Sequence, residues 1–384
     1  MTPATQFPEP TVAALELSRK LAAHIRDDIE RAGGWIDFSR YMQLALYAPG
    51  LGYYSAGSTK LGPGGDFVTA PELGDFLGRA LAVQLAPALA AVEEPVILEL
   101  GAGTGSLASQ VLTALEALGE RRVQYRILEP SADFRARQER ALRAFGARIE
   151  WLDALPSGPF EGAVLANEVL DALPVTRFIK KADGVLPVGV VVRGNDFAWA
   201  EGSAEPRLSV AVAAIEGELG QPLAEGYCSE INMALPAWLE SVAAVLERGV
   251  LLLCDYGLVR REYYHPERST GTLICHYRHR AHANPFARPG LEDITAWVDF
   301  SACAQAADDA GLDVAGFTTQ AQFLLATLAA APAPLAVEPS SAREIAALKT
   351  MVLPGEMGER FKVLMLEKGD SRQKLPGRDL RDRL

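Results

Sequence analysis

Seven short apolar runs punctuate the chain, at residues 96–100, 123–129, 149–153, 162–166, 249–257, 312–319 and 361–369. Each is closed by glycine or by a polar residue, and most lack internal alternation, which predicts strands buried on both faces. Segments with apolar residues at helical spacing, such as LASQVLTALEAL, lie between them. Six strands in strand–helix alternation and a late seventh predict an α/β, Rossmann-like sheet.

The flanking stretches read differently. Val12, Leu15, Leu21, Ile25 and Ile29 repeat at roughly helical spacing up to the Gly33-Gly34 stop, and a second helix comes next with Asp37 as its N-cap. A helix over about 71–91 leads into the first strand. Residues 176–201 carry β-rich runs separated by Asp-Gly and Gly-Asn turn signals, which predict an inserted hairpin or small sheet. The stretch 203–235 resists assignment, and a helix is expected over 291–311. This patterning divides the chain into an N-terminal helical cap with a glycine-rich lid loop (1–90), a Rossmann-like cofactor-binding core (91–175), an inserted β-rich and helical substrate region (176–248), the rest of the core sheet with a long substrate loop (249–369), and a charged, frayed tail (370–384).

Chemistry concentrates where the first strand ends. Gly101, Gly103 and Gly105 alternate immediately after it and a helix begins there, so backbone and free helix N–H groups are open to a polar ligand. A dinucleotide fingerprint would place its third glycine at Ser106; the pattern here is E-x-G-x-G-x-G instead. Glu99 beside the turn would repel a pyrophosphate and welcome a cationic, methionine-type group. Glu129, closing the second strand, is placed to accept two ribose hydroxyls. The E-x-G-x-G-x-G turn resembles motif I of the class I S-adenosylmethionine methyltransferases, and that resemblance implies that Asp153, which ends the third strand, lies near an adenine amino group. Arg79, on the preceding helix, is a candidate for a cofactor carboxylate. The loop over 50–76 offers Tyr53, Tyr54, Asp66, Phe67, Thr69 and Glu72 to cover a cofactor or line an entrance; packing by its own tyrosines is the alternative.

At the fourth strand's end, Asn167, Glu168 and Asp171 lie where an open α/β sheet binds its ligands. From Asn167 the chain continues Glu168-Val169-Leu170, a departure from the Asn-Pro-Pro-aromatic turn used for amide and base methylation. Two carboxylates three residues apart suit the planar five-donor fork of a guanidinium; Asp171 equally serves to cap a helix or close a turn. His276 is expected to contact substrate, and Tyr256 to line the same pocket. Cys275, His276, His279 and His282 match no zinc pattern, so no metal is expected.

Bulk properties narrow the partners. A net charge of −12 argues against nucleic acid, and no stretch approaches the ~18 apolar residues of a membrane span. Four scattered cysteines suggest no disulfide framework. No basic-then-apolar leader and no recognisable mitochondrial presequence is seen at the N-terminus, which reads as cytoplasmic.

The blocks GYYS, GDFVTAPE, ELGAGTG, ANEVLDALP, DYG and GTLICHYRH, with PGLEDITAWVDF after them, together resemble the MidA-like methyltransferases. That group includes the mitochondrial complex I assembly factor. The resemblance implies a seven-stranded class I methyltransferase sheet with S-adenosyl-L-methionine (SAM) as cofactor, held by Gly101, Gly103, Gly105 and Glu129. It implies transfer to arginine side chains of a protein substrate, a respiratory complex subunit in the mitochondrial members. A homodimer is compatible with it. A SAM-binding assembly factor without turnover, a small-molecule methyltransferase and an oxidoreductase on the same sheet remain open alternatives.

Overall fold

A computed structural model of the chain describes residues 7–56, 69–336, 341–369 and 373–384. These divide into a sheet unit (68–171, 235–259 and 298–384) and a second unit (1–67, 172–234 and 260–297).

The sheet unit contains strands β1 (Val96–Leu100), β2 (Gln124–Leu128), β3 (Ile149–Leu152), β4 (Phe160–Asn167), β5 (Leu246–Leu258), β6 (Asp313–Thr319) and β7 (Phe361–Lys368). Their order is β3-β2-β1-β4-β5-β7-β6, and a two-residue eighth strand, Val298–Asp299, pairs parallel with β5 off this seven-strand path. Neighbours from β3 to β5 run parallel, and β7 is antiparallel to both β5 and β6. Chain direction across the sheet reverses between β1 and β4, and ligands of such sheets bind beyond the strand carboxyl ends at that switch point. All five residues of β1 are buried, Glu99 among them. Helices Phe76–Ala90 and Ser106–Ala117 cover one face, where Leu77, Leu81, Leu85, Leu107 and Val111 join Ile97, Tyr125 and Val250 in a single core. Each fully buried side chain of this kind contributes about 1.5–3 kcal/mol.

Several sequence expectations are corrected here. The helix Phe76–Ala90 packs into the sheet core and not into an N-terminal cap, because its apolar residues encircle it. Residues 235–248 supply the helix Leu235–Val245 and the start of β5, so the insertion ends earlier than expected. The C-terminal residues from 373 onward are not frayed: the Leu380 amide donates to the Phe317 carbonyl at 2.7 Å, and Thr318 Oγ1 donates to the Arg378 carbonyl at 2.7 Å. The helix expected over 291–311 spans only Phe300–Asp309, because Asp299 caps it by accepting the Ser301 and Ala302 amides.

In the second unit, helices Val12–Arg31 and Phe38–Tyr47 share a core with the inserted strands, built from Leu21, Ile25, Phe38, Tyr41, Val190 and Phe197. N-terminal cap and insertion are therefore one body. The unassigned stretch holds the helix Pro206–Leu219 and the strand Cys228–Ile231. Tyr53 is 1% exposed and Tyr54 OH donates to Asp293 Oδ1 at 2.8 Å, so this tyrosine pair is packing within its own unit and not an open ligand face. Asp66 and Phe67 lie outside the described residues. Among the described residues no helix is long and apolar enough to cross a membrane.

Candidate active site

The turn after β1 is built from backbone that only glycine adopts readily: φ is +67° at Gly101, +55° at Gly103 and +85° at Gly105. A Cβ on Gly101 would come within 3.1 Å of Val169 Cγ2. The next helix has Gly105 as N-cap and no side-chain cap from it; the Ser106 amide donates to Thr104 Oγ1 at 3.4 Å, and the amides after it remain for a ligand. Glu72 braces the turn from outside: its Oε1 accepts Thr104 Oγ1 at 2.5 Å and Ser106 Oγ at 2.8 Å. The sequence suggests a lid residue at Glu72; the structure makes it a strut.

Glu99 is enclosed in β1, 2% exposed, and its Oε2 accepts the Tyr125 hydroxyl at 2.7 Å. Burial pushes its pKa up to about 7, opposed by the Tyr125 hydrogen bond and aided by the Glu129 charge.

Glu129 is nearly buried at the end of β2, and burial raises its pKa against the opposing Ser131 and Gln138 hydrogen bonds and the Arg135 charge. Its Oε1 accepts the Ser131 amide at 2.9 Å and its Oε2 accepts Gln138 Nε2 at 2.9 Å. Gln138 is fully buried; the same Nε2 donates to the Gly103 carbonyl at 3.0 Å, and its Oε1 accepts Trp151 Nε1 at 3.0 Å. One amide thus locks the glycine turn, Glu129 and β3 together. Sequence reading misses it, since Gln138 sits in an otherwise charged helix with no local signal. Asp153 is exposed beyond β3 and pairs with Arg135 at 2.6 Å. Arg79 bonds within its own helix, to Asp75 Oδ2 at 2.7 Å.

At β4 and β5 three carboxyl groups gather. Asn167 Nδ2 donates to Glu168 Oε1 at 3.2 Å, and Asn167 Oδ1 is buried with no hydrogen-bond partner among the described residues. Glu168 holds a φ of +54°, outside the range a side-chain-bearing residue prefers. Asp171 is buried, and its amide donates to Asp255 Oδ2 at 3.3 Å. Asp255, on β5 just past its last pairing with β4, is 1% exposed; burial first, then the Asp171 and Glu168 charges, drive its pKa far above the carboxylate range. Sequence reading favours its neighbour Tyr256 over Asp255, although an acid closing the most apolar run is the available signal.

His276 belongs to the second unit, on the strand Ile274–Tyr277, where burial and then the His282 charge lower its pKa. It is not among the residues the sheet unit brings together. His279 is a turn residue: with Arg278 it forms a two-residue hairpin loop, at φ of +61° and +47° respectively. His282 lies 3.2 Å from Glu292.

The residues fit SAM. Glu129 is oriented by two donors, and a carboxylate keeps further acceptor positions for ribose hydroxyls. The positive-φ glycines clear a path to the backbone that any Cβ at Gly101 would narrow.

A family model for S-adenosyl-L-methionine-dependent methyltransferases matches residues 80–318. The crystal structure of a COG1565 superfamily member from Burkholderia thailandensis, bound to S-adenosyl-homocysteine, is 44% identical; the match covers 95% of this chain and 96% of that one, with a TM-score of 0.87. Protein arginine methyltransferase NDUFAF7, mitochondrial, from Danio rerio is 26% identical over 351 residues, covering 84% of this chain and 80% of the relative. The Drosophila melanogaster homolog of NDUFAF7 is 27% identical over 409 residues, covering 96% and 90%. With the seven-stranded sheet, the glycine turn and Glu129 in place, these matches make the chain a member of the MidA-like family of SAM-dependent methyltransferases.

Proposed function

We propose that this enzyme methylates arginine side chains of a protein substrate, with Glu168 and Asp171 gripping the guanidinium. One observation carries the reading: Glu168, Asp171 and Asp255 converge where β4 ends beside β5, on the side of the sheet where such folds bind their ligands. Acids gathered this closely suit a cationic guest such as a guanidinium. Relatives that carry the name protein arginine methyltransferase support it. By the family resemblance, a respiratory complex subunit is the substrate class to try first.

In this reading Gly101, Gly103 and Gly105 leave their backbone open to SAM, Glu129 takes the ribose hydroxyls, and Glu99, hydrogen-bonded to Tyr125, backs the turn from within β1. Asn167 offers its buried Oδ1 to a donor at the same edge. Asp153 and Arg79, already paired with Arg135 and Asp75, contribute at the periphery of the cofactor. SAM, when bound, supplies a methyl group on a sulfonium. The protein's task is then positioning: the acids would accept guanidinium N–H bonds, draw positive charge away from the attacking nitrogen and leave its lone pair free for the methyl group. The proton lost from the methylated nitrogen passes to a carboxylate of the same cluster.

The test is incubation with methyl-labelled SAM and soluble protein from source cells lacking this enzyme. Label in discrete proteins, recovered as methylarginine after hydrolysis and lost in Glu168→Gln, is expected. Label confined to small molecules sinks the arginine reading.

A further inference from the structure

Asp255 does more in this arrangement than add a third carboxyl group. Its Oδ2 accepts the Leu170 amide at 2.9 Å and the Asp171 amide at 3.3 Å, while its Oδ1 accepts the Tyr256 amide at 2.9 Å. Three backbone donors therefore converge on both oxygens of one side chain that is 1% exposed. One residue earlier on β5, the Cys254 carbonyl accepts the Glu168 amide at 2.9 Å. The turn from Glu168 to Asp171 is thus clamped at its start by a β5 carbonyl and at its end by a β5 carboxyl group.

The clamp bears on strain. A non-glycine residue at positive φ costs on the order of 1–3 kcal/mol and persists only where its surroundings over-determine it. Glu168 is such a residue, and its φ of +54° comes where the backbone leaves β4. Packing alone does not account for an acid here: an apolar residue would fill the space without the cost of burying a carboxyl group beside two others. Only an acid offers acceptors on both sides of the side chain, which the amides of Leu170, Asp171 and Tyr256 require.

We infer that Asp255 is a positioning residue for the methyl acceptor, holding the turn from Glu168 to Asp171 so that both carboxylates meet the acceptor already oriented. It rests on the reading of Glu168 and Asp171 as the acceptor-binding pair, and the experiment separates the two.

Wild type and variants are given methyl-labelled SAM and soluble protein from source cells lacking the enzyme, with initial rates of protein labelling measured. S-adenosylhomocysteine affinity is measured in parallel by calorimetry. A turn released by Asp255→Ala lowers labelling about 100-fold, the scale of a misplacement of ~1 Å, while S-adenosylhomocysteine binds within about threefold of wild type. Asp255→Asn keeps a carbonyl acceptor for the Leu170 and Asp171 amides and loses only the acceptor for Tyr256, so it recovers about tenfold of that loss. Equal losses in the two variants, or a loss of S-adenosylhomocysteine binding in step with labelling, overturn the positioning role. Glu168→Gln and Asp171→Asn are run beside them. If those two label like wild type, the acceptor reading falls; if they fail to label while Asp255→Ala labels like wild type, only the role of Asp255 falls.

Discussion

Glu129 and Asp255 are both buried carboxyl groups on one sheet, and burial raises the pKa of each, yet their company differs. Around Glu129 the remaining influences pull the pKa back down: the Ser131 amide, the Gln138 amide and the Arg135 charge. Around Asp255 the next influences, the Asp171 and Glu168 charges, push it further up. The first acid is settled and has spare acceptor positions for neutral hydroxyls. The second sits among other acids, an arrangement suited to an incoming cation, with the Asp171 and Tyr256 amides pulling its pKa partly back. Equivalent positions in an α/β sheet thus acquire different tasks from what is packed beside them, and not from residue type.

The sharpest break of this contrast is the double variant Glu168→Gln with Asp171→Asn. Removing both charged acceptors should lower protein labelling about 1000-fold, at roughly 1.5–3 kcal/mol for each charge-assisted contact, and leave S-adenosylhomocysteine binding within about threefold. If cofactor affinity falls as steeply as labelling, the two acidic regions are one site and the contrast is wrong.

Glu129→Ala probes the other side. Loss of a buried acceptor for two hydroxyls should weaken S-adenosylhomocysteine binding about 100-fold by calorimetry. Affinity retained would mean that the ribose is held elsewhere.

Glu99 allows a pH test. In the unfolded chain it ionises near 4.5, whereas in the fold it keeps its proton up to about 7. The fold therefore disfavours the ionised form. Its contribution is fully favourable below the unfolded value and is lost as pH rises towards 7, by about 3 kcal/mol in total. Glu99→Gln, whose carbonyl can still accept the Tyr125 hydroxyl, should remove that part of the slope in urea melts between pH 5 and 8. A variant with the wild-type slope would show that Glu99 does not titrate in this range.

The smallest effect is expected from Gln138→Leu. Losing the amide that joins Gly103, Glu129 and Trp151 should weaken S-adenosylhomocysteine binding about tenfold, with labelling at saturating SAM close to wild type. A drop in saturated labelling instead would tie Gln138 to the acceptor side.

Much of the fold is legible in the sequence because its signals are local. Unbroken apolar runs mark the strands, alternating glycines mark the turn, and an acid closing the second run marks Glu129. Where signals depend on distant neighbours the reading slips. Tyr53 and Tyr54 offer aromatic and polar groups suited to a ligand, yet one is buried and the other is spent on Asp293. His279 stands in a suggestive histidine cluster and is a hairpin turn residue. The charged C-terminal stretch reads as frayed and instead hydrogen-bonds to β6.

By itself, then, the sequence determined the strand–helix alternation, the glycine turn and the acids that end the second and fourth strands, since period, turn chemistry and strand termination are written in adjacent residues. Tertiary structure alone decided which acids share a neighbourhood. Asp255 reaches the Leu170 amide across 85 positions of chain because β5 pairs with β4, and that pairing also sets the Cys254 carbonyl against the strained Glu168. A hydrogen bond acts over about 3 Å, and a sequence pattern has no means of stating which residues the fold will bring that close.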